Sequence, residues 1–292
     1  SMIKNELIEL EDVLDLMLDA VCVVNKVGKF VFVSAAFEQI FGYKAAEVVG
    51  KPMIDYVYKG DHNKTYNAVA SLLSGETTHS RFENRWVRKD GQIIHILWSV
   101  CWSSDHQVRI AVAHDITERK KMEEQLHYMA GHDGLTGLPN RSLLMDRLQA
   151  AIVKAERENT LFSILFIDIN GFKAINDTYG HLMGDKLLQH IAQRLLSVVR
   201  EYDTVGRLGG DEFLIVLEGL SSAGDTTAFK RKIIGQFQQP FKLDELSLNV
   251  SPSIGIANYP THGETDHQLI KHADQAMYKI KRMSANSIDY PT

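Results

Sequence analysis

The residues best suited to chemistry lie in one short stretch, residues 207–213, which read RLGGDEF. Two glycines precede two acids, Asp211 and Glu212, and apolar sequence lies on both sides. The pattern predicts a β-hairpin with Gly209 and Gly210 at its tip. Because glycine leaves the backbone bare, a bulky anion can approach closely there, while the two carboxylates hold a divalent cation. This combination favours a metal-assisted nucleotide site, although the four residues alone fit an ordinary Gly-Gly turn with solvated acids equally well.

A third acid, Asp168, ends an apolar strand predicted at residues 161–167. If this strand lies beside the hairpin, three carboxylates converge at one edge of a sheet. Mg²⁺ prefers oxygen ligands and typically binds one or two carboxylates together with substrate phosphates. Two such ions about 3.5–4 Å apart stabilise both the attacking and the leaving oxygen in phosphoryl-type transfer. The alternative is that Asp168 merely caps a turn between a strand and a helix.

The stretch at 207–213 resembles the signature of the GGDEF family, the diguanylate cyclases. Further motifs of that family follow in its order, and the resemblance covers roughly residues 127–287. It implies a domain similar to the palm of nucleotidyl cyclases and polymerases, and an enzyme that condenses two GTP into cyclic di-GMP and two pyrophosphates. The motifs that carry the resemblance are DGLTGLPNR at 133–141, FIDIN at 166–170, SIGIA at 253–257 and ADQAMY at 273–278. Four pairs that follow FIDIN also match, namely FK at 172–173, ND at 176–177, GH at 180–181 and GD at 184–185.

The resemblance also implies roles for the acidic residues. Asp168, the Ile169 carbonyl, Asp211 and Glu212 would hold two Mg²⁺ ions per active site, with Mn²⁺ as an alternative metal. Asp211 would help to deprotonate the 3′-hydroxyl, and Glu212 and Lys173 would be further catalytic residues. We therefore expect Mg²⁺ as the cofactor and GTP as the substrate.

Two polar residues are the family's guanine readers, Asn176 and Asp185. A carboxylate can accept parallel bonds from guanine N1–H and its exocyclic amine, which adenine does not present, so Asp185 favours GTP over ATP. The nucleotide should lie near the start of a helix predicted at 181–200, where backbone N–H groups favour anions. The alternatives are a helix cap at Asn176 and a first-turn acid at Asp185.

Other substrate contacts are implied more weakly. The bare backbone of Gly209 and Gly210 would lie against the nucleotide, and His181 would be structural or on the ribose side. Lys173 and Lys281 match cations that the family directs at phosphates, although each lysine alone fits a solvated surface position.

Two positions depart from the family pattern. Ala285 stands where members usually carry an arginine that binds the terminal phosphates, unless Arg282 replaces it, and Asn170 stands in place of a frequent aspartate. Loss of one charged phosphate contact would cost about 1.5–3 kcal/mol. The departure at Ala285 weakens the prediction of an active enzyme without overturning it.

An Arg-x-x-Asp pair, Arg200 and Asp203, precedes the glycines. In the family this spacing marks the site where the product, cyclic di-GMP, binds and inhibits. Arginine suits that site because its planar fork binds phosphate bidentately and stacks on a guanine face. The alternative is an ion pair at a helix end.

The first part of the chain is mostly β in pattern and resembles a PAS sensor domain. The resemblance rests on FGY at 41–43, EVVG at 47–50, RKDG at 88–91 and the closing DITERK at 115–120. It implies an antiparallel sheet with helices around a small pocket. No cysteine lies in a flavin-adduct motif, and no cofactor is assigned, although a haem would have five histidines to choose from: His62, His79, His95, His106 and His114.

The expected organisation is an N-terminal helix at 1–18, a PAS-like domain at 19–117, a helical connector at 118–130 and a GGDEF domain at 131–292, which is α+β or α/β in class. The N-terminal helix carries an apolar seam and is either a short coiled coil or a helix that rests on the PAS-like domain. The connector carries Met122, Leu126 and Met129 on one stripe, which either pairs with a second copy or rests on one domain. The seam residues are Ile3, Leu7, Leu10, Leu14 and Met17, and the elements predicted after residue 160 are a strand at 161–167, a hairpin at 205–217, strands within 246–257 and helices at 181–200, 228–238 and 266–282.

The composition of the chain limits the kinds of partner and cellular compartment that can be expected. With 45% hydrophobic and 24% charged residues the chain can bury real cores, and its formal charge of −5 gives no basic surface for nucleic acid. Two cysteines, Cys22 and Cys101, indicate a reducing compartment rather than a disulfide framework. No apolar run approaches the roughly 20 residues of a membrane span. A cytoplasmic location is expected, although upstream segments could attach a longer protein to a membrane.

The overall prediction is a homodimeric signalling enzyme in which a PAS-like sensor controls a diguanylate cyclase through the connector. One domain holds one GTP, so two domains must face each other. The main alternative is an inactive GGDEF module that binds cyclic di-GMP or GTP as a regulator. A third interpretation, a PAS scaffold that serves only dimerisation, explains none of the acids.

Overall fold

A computed structural model of the protein describes the backbone of residues 10–286 and the side chains of residues 12–284. The chain divides into two units between Gln125 and Leu126. The division lies inside a helix, α5 (Thr117–Gly131), that covers the predicted connector. Of the predicted N-terminal seam, Ile3 and Leu7 lie outside the described residues, and the described helix is α1 (Leu10–Leu16). None of the helices in the described part combines the length and apolar character needed to cross a bilayer.

The first unit contains the antiparallel sheet with helices that the PAS resemblance implies. Its five strands pair in the order β2-β1-β5-β4-β3, and every pair is antiparallel. Its longer helices, at residues 36–41 and 62–73, lie between the second and third strands along the chain. The elements are β1 (Ala20–Asn25), β2 (Phe30–Val33), α2 (Ala36–Phe41), α3 (Ala45–Val48), α4 (His62–Leu73), β3 (His79–Val87), β4 (Ile93–Ser103) and β5 (Val108–Asp115).

One face of this sheet is buried, and every second residue of a strand lies on that face. In β4 every second side chain from Ile94 to Val100 is buried. Aromatic rings fill much of the interior, with Phe37 stacked on Phe41 at 4.4 Å and Trp86 5.2 Å from Trp98. Each such side chain contributes about 1.5–3 kcal/mol by leaving water, so the rings account for much of the stability of this unit.

The start of α5 is fixed to the sheet of the first unit. The Asp115 carboxylate accepts a hydrogen bond from the Thr117 backbone N–H at 2.9 Å, which caps the helix. Thr117 Oγ1 in turn accepts from the His95 N–H on β4 at 3.0 Å. One turn later Lys120 pairs with Glu83 on β3 at 2.9 Å. The closing motif at 115–120 therefore fastens the connector to two strands of the sheet.

The second unit is built on a four-stranded sheet in the order β11-β6-β8-β7. All its pairs are antiparallel, so the domain is α+β rather than a parallel α/β sheet. A short two-stranded ribbon, β9 with β10, lies apart from it. The elements are α6 (Arg141–Glu158), β6 (Leu161–Ile169), α7 (Phe172–Tyr179), α8 (His181–Val198), β7 (Thr204–Gly209), β8 (Glu212–Leu220), α9 (Ala223–Phe237), β9 (Phe241–Leu243), β10 (Leu246–Leu248), β11 (Pro252–Tyr259) and α10 (Asp266–Asn286).

Helices cover both faces of this sheet, which is why its central strand is apolar without alternation. Leu165 and Ile167 of β6 pack in one cluster with Leu187 of α8, whereas Ile164 and Phe166 pack in another with residues of α6 and α10. The two faces follow the period of two along a strand. Side chains at even positions of β6, Asp168 included, therefore point toward the layer of α6 and α10.

Several predicted boundaries in this unit were wrong or incomplete. The helix predicted from 228 starts at Ala223, because Ser222 and Asp225 form a capping box that the apolar pattern does not reveal. The helix predicted to 200 ends at Val198, and the one predicted to 282 extends to Asn286. Helix α6 was not predicted, and the strands expected within 246–257 separate into β10 and β11.

Candidate nucleotide and metal site

The three acids proposed as metal ligands lie at one end of the second unit's sheet. Asp168, the second-last residue of β6, pairs directly with Glu212, the first residue of β8. Glu212 also pairs with Gly209 at the end of β7, so Asp211 lies in the turn of the hairpin. The neighbouring strands that the sequence prediction required are present. Ile169, whose carbonyl completes the proposed metal set, is the last residue of β6.

Asp168 and Asp211 are in direct contact. Burial, a hydrogen bond to the Asp168 carboxylate and repulsion from its charge raise the pKa of Asp211 to about 7, and Lys281 only partly opposes this. Burial and the charges of Asp168 and Asp274 also raise the pKa of Glu212. Negative charge is therefore concentrated here beyond what the chain's own cations neutralise, which is the environment that a divalent cation relieves.

Lys281 reaches this site from helix α10. Its Nζ donates to Asp168 Oδ2 at 2.7 Å, and the Asp168 side chain is only 10% exposed. The approach of α10 depends on Gly255 in β11, where a methyl group would lie 1.9 Å from the Ala273 carbonyl oxygen. Lys281 is therefore not the solvated lysine that its sequence context alone favoured.

The second carboxylate oxygen of Asp168 is the clearest indication of a cation. Asp168 Oδ1 is buried and has no partner other than the neighbouring acid Asp211, since Lys281 binds Oδ2. A buried acceptor of that kind is costly unless a donor or a cation satisfies it. Among residues 12–284 no three His, Cys, Asp or Glu side chains form a ready-made metal cluster. The donor set nevertheless fits Mg²⁺, which commonly takes one or two carboxylates and completes its shell with other oxygens.

The hairpin tip is open, as a phosphate contact would require. Gly209 and Gly210 have φ angles of +142° and +51°, which favour glycine, and a side chain at either would meet nothing within 4 Å. The Gly210 carbonyl accepts hydrogen bonds from Arg207 Nε and Nη2 at 3.0 and 2.8 Å. The tip is thus exposed but held in one conformation.

Arg207 is a positioning residue to which sequence reasoning assigned no role. Its Nη1 donates to both carboxylate oxygens of Asp133, at 2.9 and 3.1 Å. The Asp133 carboxylate also accepts from the Thr136 N–H at 2.9 Å, which closes the turn of the opening motif. Arg207 therefore ties the motif at 133–141 to the hairpin tip. The signal was present, since both residues belong to quoted motifs, but no local pattern pairs them.

The two residues predicted to read guanine lie on consecutive helices, Asn176 on α7 and Asp185 on α8. Asn176 Oδ1 is buried and accepts no hydrogen bond from a described residue, so this amide does not cap a helix. It lies against Gly184, where a methyl group would come within 1.9 Å of it. The Asp185 carboxylate is exposed and lies beyond the first turn of α8, in which no acid stands. The two capping roles considered from the sequence are therefore absent.

The remaining substrate residues are less constrained. His181 is the first residue of α8 and is exposed, and Lys173 is exposed on α7. Neither takes part in an ion pair with another described residue. Nothing in the described structure brings Lys173 to Asp211, whereas Lys281 is in contact with Asp168.

The departures from the family pattern have different consequences. Asn170 donates to Ser251 Oγ at 3.0 Å and accepts from Ser253 Oγ at 2.7 Å, a pair of bonds that ties the end of β6 to β11 and that a carboxylate could only half make. Arg282 lies on α10 with its guanidinium 5.9 Å from the centre of the Tyr278 ring. The Ala285 side chain lies outside the described side chains.

Arg200 and Asp203 border a separate cleft of 460 Å³. They form no ion pair: the Asp203 carboxylate accepts backbone N–H groups of Arg200 at 2.9 Å and of Glu218 at 3.2 Å, and Arg200 Nη1 donates to the Tyr202 hydroxyl at 2.6 Å. The helix-end ion pair considered from sequence is thus not formed. The guanidinium lies at the surface, beside a cleft that Lys232 also lines.

Comparison with known proteins gives the same picture as the geometry. Residues 130–287 match the family model described as diguanylate cyclase, GGDEF domain, and residues 8–116 match the PAS fold. MucR of Pseudomonas aeruginosa, named a bifunctional diguanylate cyclase/cyclic di-GMP phosphodiesterase, is 44% identical over 170 residues, which are 58% of this chain and 25% of that protein. The chain spans about a third or less of the length of the first curated relatives it matches.

Solved structures agree for the second unit. The GGDEF domain of TpbB, also called YfiN, from Pseudomonas aeruginosa is 43% identical, with a TM-score of 0.51 over 52% of this chain and 89% of that one. The coiled coil and GGDEF domain of DgcB from Caulobacter crescentus, solved in complex with c-di-GMP, is 27% identical, with a TM-score of 0.53 over 57% of this chain and 88% of that one.

Proposed function

Because this chain belongs to the GGDEF family of diguanylate cyclases and carries a PAS domain, we propose that it condenses two GTP molecules into cyclic di-GMP and two pyrophosphates. The observation that carries the proposal is the contact between Asp168 and Asp211, with a buried, unsatisfied Asp168 oxygen beside an open glycine tip. A hairpin with only solvated acids would have neither feature.

The proposed roles follow from these positions. Two Mg²⁺ ions, or Mn²⁺ as an alternative, would be held by Asp168, the Ile169 carbonyl, Asp211 and Glu212. When bound, Mg²⁺ supplies positive charge that offsets the triphosphate. Lys281 keeps Asp168 in place, and we propose that it also binds phosphate. Asn176 and Asp185 bind the guanine, His181 and the backbone of Gly209 and Gly210 contact the rest of the nucleotide, and Lys173 assists catalysis from α7.

The reaction is symmetric. The 3′-oxygen of one GTP forms a bond to the α-phosphorus of the other, the bond from that phosphorus to the bridging oxygen breaks, and pyrophosphate leaves. Asp211 accepts the 3′-hydroxyl proton as the general base. Catalysis is then mainly the positioning of two bound nucleotides together with electrostatic stabilisation.

A homodimer is required, since one domain holds one GTP. The stripe on α5 supports it, because Met122, Leu126 and Met129 are 59, 65 and 70% exposed. We assign residues 19–117 as the sensor, 118–130 as the connector and 131–292 as the cyclase. The sensor would act by changing how two connectors pair.

The direct test is to incubate the purified chain with GTP and Mg²⁺ and to identify the nucleotides by chromatography. Cyclic di-GMP and pyrophosphate in a ratio of 1:2 are expected, and Asp211→Asn and Glu212→Gln should abolish both. Asp146→Asn, which removes an exposed acid on α6, is the matched control and should retain activity. A wild-type dimer that leaves GTP unconverted would overturn the proposal.

The second candidate function, a receptor for cyclic di-GMP without activity, is favoured by Ala285 and by the cleft at Arg200. Binding of cyclic di-GMP by a chain that does not convert GTP would establish it.

If the cleft at Arg200 is instead the inhibitory site, product should slow the wild-type enzyme, and Arg200→Ala should weaken that inhibition at least tenfold, because a charged phosphate contact is lost. Initial rates at increasing cyclic di-GMP measure this. Arg157→Ala, an exposed arginine on α6, is the control, and unchanged inhibition of Arg200→Ala would exclude the cleft.

A further inference from the structure

A buried arginine inside the first unit has no partner of opposite charge. Arg109 lies near the start of β5 and faces the covered side of the sheet, where it is 4% exposed. Its polar contact is Nη2 to the Met53 sulfur at 3.9 Å, and a thioether is a weak acceptor. No carboxylate of the described residues pairs with it. Burial lowers the pKa of Arg109, and no neighbouring charge raises it.

The other arginines near the core of this unit differ. Arg85 donates through Nε and Nη2 to the two carboxylate oxygens of Asp61, at 3.1 and 2.7 Å. Arg88 donates to the backbone carbonyls of Gln39 and Ile40. An unpaired buried charge costs several kcal/mol. Arg109 therefore carries a largely buried charge that no described carboxylate neutralises, and an anion that reaches it would offset the cost of its burial.

A small cavity of about 30 Å³ lies beside the guanidinium. Most of its wall is apolar and includes Trp86, Trp98 and Val100. Because roughly 10–15 Å³ of such volume holds one water, a group of only a few heavy atoms fits without rearrangement. None of the five histidines considered as haem ligands is among the residues that line it.

The other polar side chains in the wall satisfy one another. Asn84 Oδ1 accepts hydrogen bonds from the Trp86 and Trp98 indoles at 2.8 and 2.7 Å, and Asn84 Nδ2 donates to Thr65 Oγ1 at 3.0 Å. Thr65 Oγ1 donates onward to the Asp61 carbonyl at 2.8 Å. Arg109 is thus the charged group that lines this cavity, and it pairs with no described carboxylate.

We propose that this cavity binds a short-chain aliphatic monocarboxylate, whose two oxygens accept parallel hydrogen bonds from the Arg109 fork while its alkyl group lies against Trp86 and Trp98. A carboxylate matches the fork bidentately, and a singly charged head suits a wall with one cation. A haem or a flavin would not fit this volume without rearrangement. The site lies in the first unit and does not depend on the proposed cyclase activity. Binding of the carboxylate can therefore be measured whether or not the protein converts GTP.

The test is a titration of the purified chain with sodium formate, acetate, propionate and butyrate at constant ionic strength. Two of the three tryptophans line the cavity, so tryptophan fluorescence reports occupancy. A saturable fluorescence change is expected for at least one of these acids, with a rise in Tm of about 5 °C at a hundred times Kd. Sodium chloride and the neutral isosteres acetamide and propionamide should cause neither the fluorescence change nor the rise in Tm.

Variants separate binding from folding. Arg109→Met should lose the carboxylate response and, without ligand, should have a higher Tm than wild type, because the unpaired charge is gone. Arg109→Lys should bind at least tenfold more weakly, since it lacks the fork. Arg81→Met, which removes an exposed arginine on β3, should bind as wild type does.

Four results would overturn the proposal: no response to any of the carboxylates, an equal response to the amides, a retained response in Arg109→Met, or a lower Tm for unliganded Arg109→Met. If Arg109→Met does not fold, the carboxylate affinity of Arg109→Lys is compared with that of the wild type. Equal affinities would show that the guanidinium fork does not bind the carboxylate, and the proposal would fail.

Discussion

The pair formed by Asp168 and Asp211 shows how one contact defines a site at the scale of residues. Two carboxylates in contact cannot both ionise freely, and burial adds to that cost, so the pKa of Asp211 rises to about 7. Lys281 is bonded to Asp168 and relieves only part of the repulsion. The site is therefore strained electrostatically in a way that a divalent cation would reverse.

This strain predicts a pH dependence of stability. The pKa of Asp211 is raised from 3.8 to about 7, so between those pH values the folded protein keeps a proton that the unfolded chain has released. The contribution of the Asp211 carboxyl to the free energy of unfolding is thus fully present below about pH 4, and it is lost as the pH rises to 7. Asp211→Asn should therefore be more stable than wild type at pH 8, by about 1–2 kcal/mol after allowance for solvent screening, and by less at pH 5.

Urea unfolding in the presence of EDTA at pH 5 and pH 8 measures that difference, and Asp146→Asn is the control. A stability gain that is the same at both pH values would show that Asp211 does not titrate in this range. Added Mg²⁺ should narrow the gap at pH 8, because the cation would offset the same charge in the wild type.

At the scale of elements, the site depends on segments that bring distant side chains to one sheet edge. Residues at even positions of β6 and β8 face the layer of α6 and α10, which explains why Lys281 of α10 meets Asp168. Helices α7 and α8 place Asn176 and Asp185 on consecutive segments that meet at Gly180. Helix α5 is the other decisive element, since its start is bonded to the sensor sheet through Thr117 and Lys120.

If helix α5 transmits the signal, GTP turnover should respond to the number of residues inserted into it. One alanine inserted between Glu123 and Glu124 rotates everything that follows by about 100° around the helix, whereas seven residues restore the phase to within about 20°. The fold-change in GTP turnover caused by the single insertion should therefore be at least ten times that caused by the insertion of seven residues. Turnover of the purified dimers measures it, and equal effects of the two insertions would exclude the helix as the transmitter.

At the scale of the whole molecule, activity should depend on association of two chains. The stripe on α5 is exposed in the single chain, as a pairing surface must be. In the proposed mechanism each domain would supply one nucleotide site. Pairing of the connectors would then set whether the two nucleotides face each other.

The corresponding prediction concerns the stripe. Leu126→Gln with Met129→Gln should weaken dimerisation, because exposed apolar area that would be buried between chains is lost, and should lower turnover per chain at low protein concentration. Turnover should recover as the concentration rises. Val153→Gln removes a side chain of α6 that is 60% exposed and is the control. Light scattering and turnover at several concentrations test this, and an unaltered dimer would contradict it.

The sequence by itself determined most of the helices and strands, because residue order and period report local backbone preference directly, and its motifs carried the resemblance to the two kinds of domain. Only the tertiary structure decided which side chains meet. Lys281 contacts Asp168 across 113 residues, and Arg207 contacts Asp133 across 74. It also showed that Asn176 caps nothing and that Arg109 is buried without a counter-ion. Such pairings follow from strand register and from helices packed on both faces of a sheet, and neither is encoded in a local pattern.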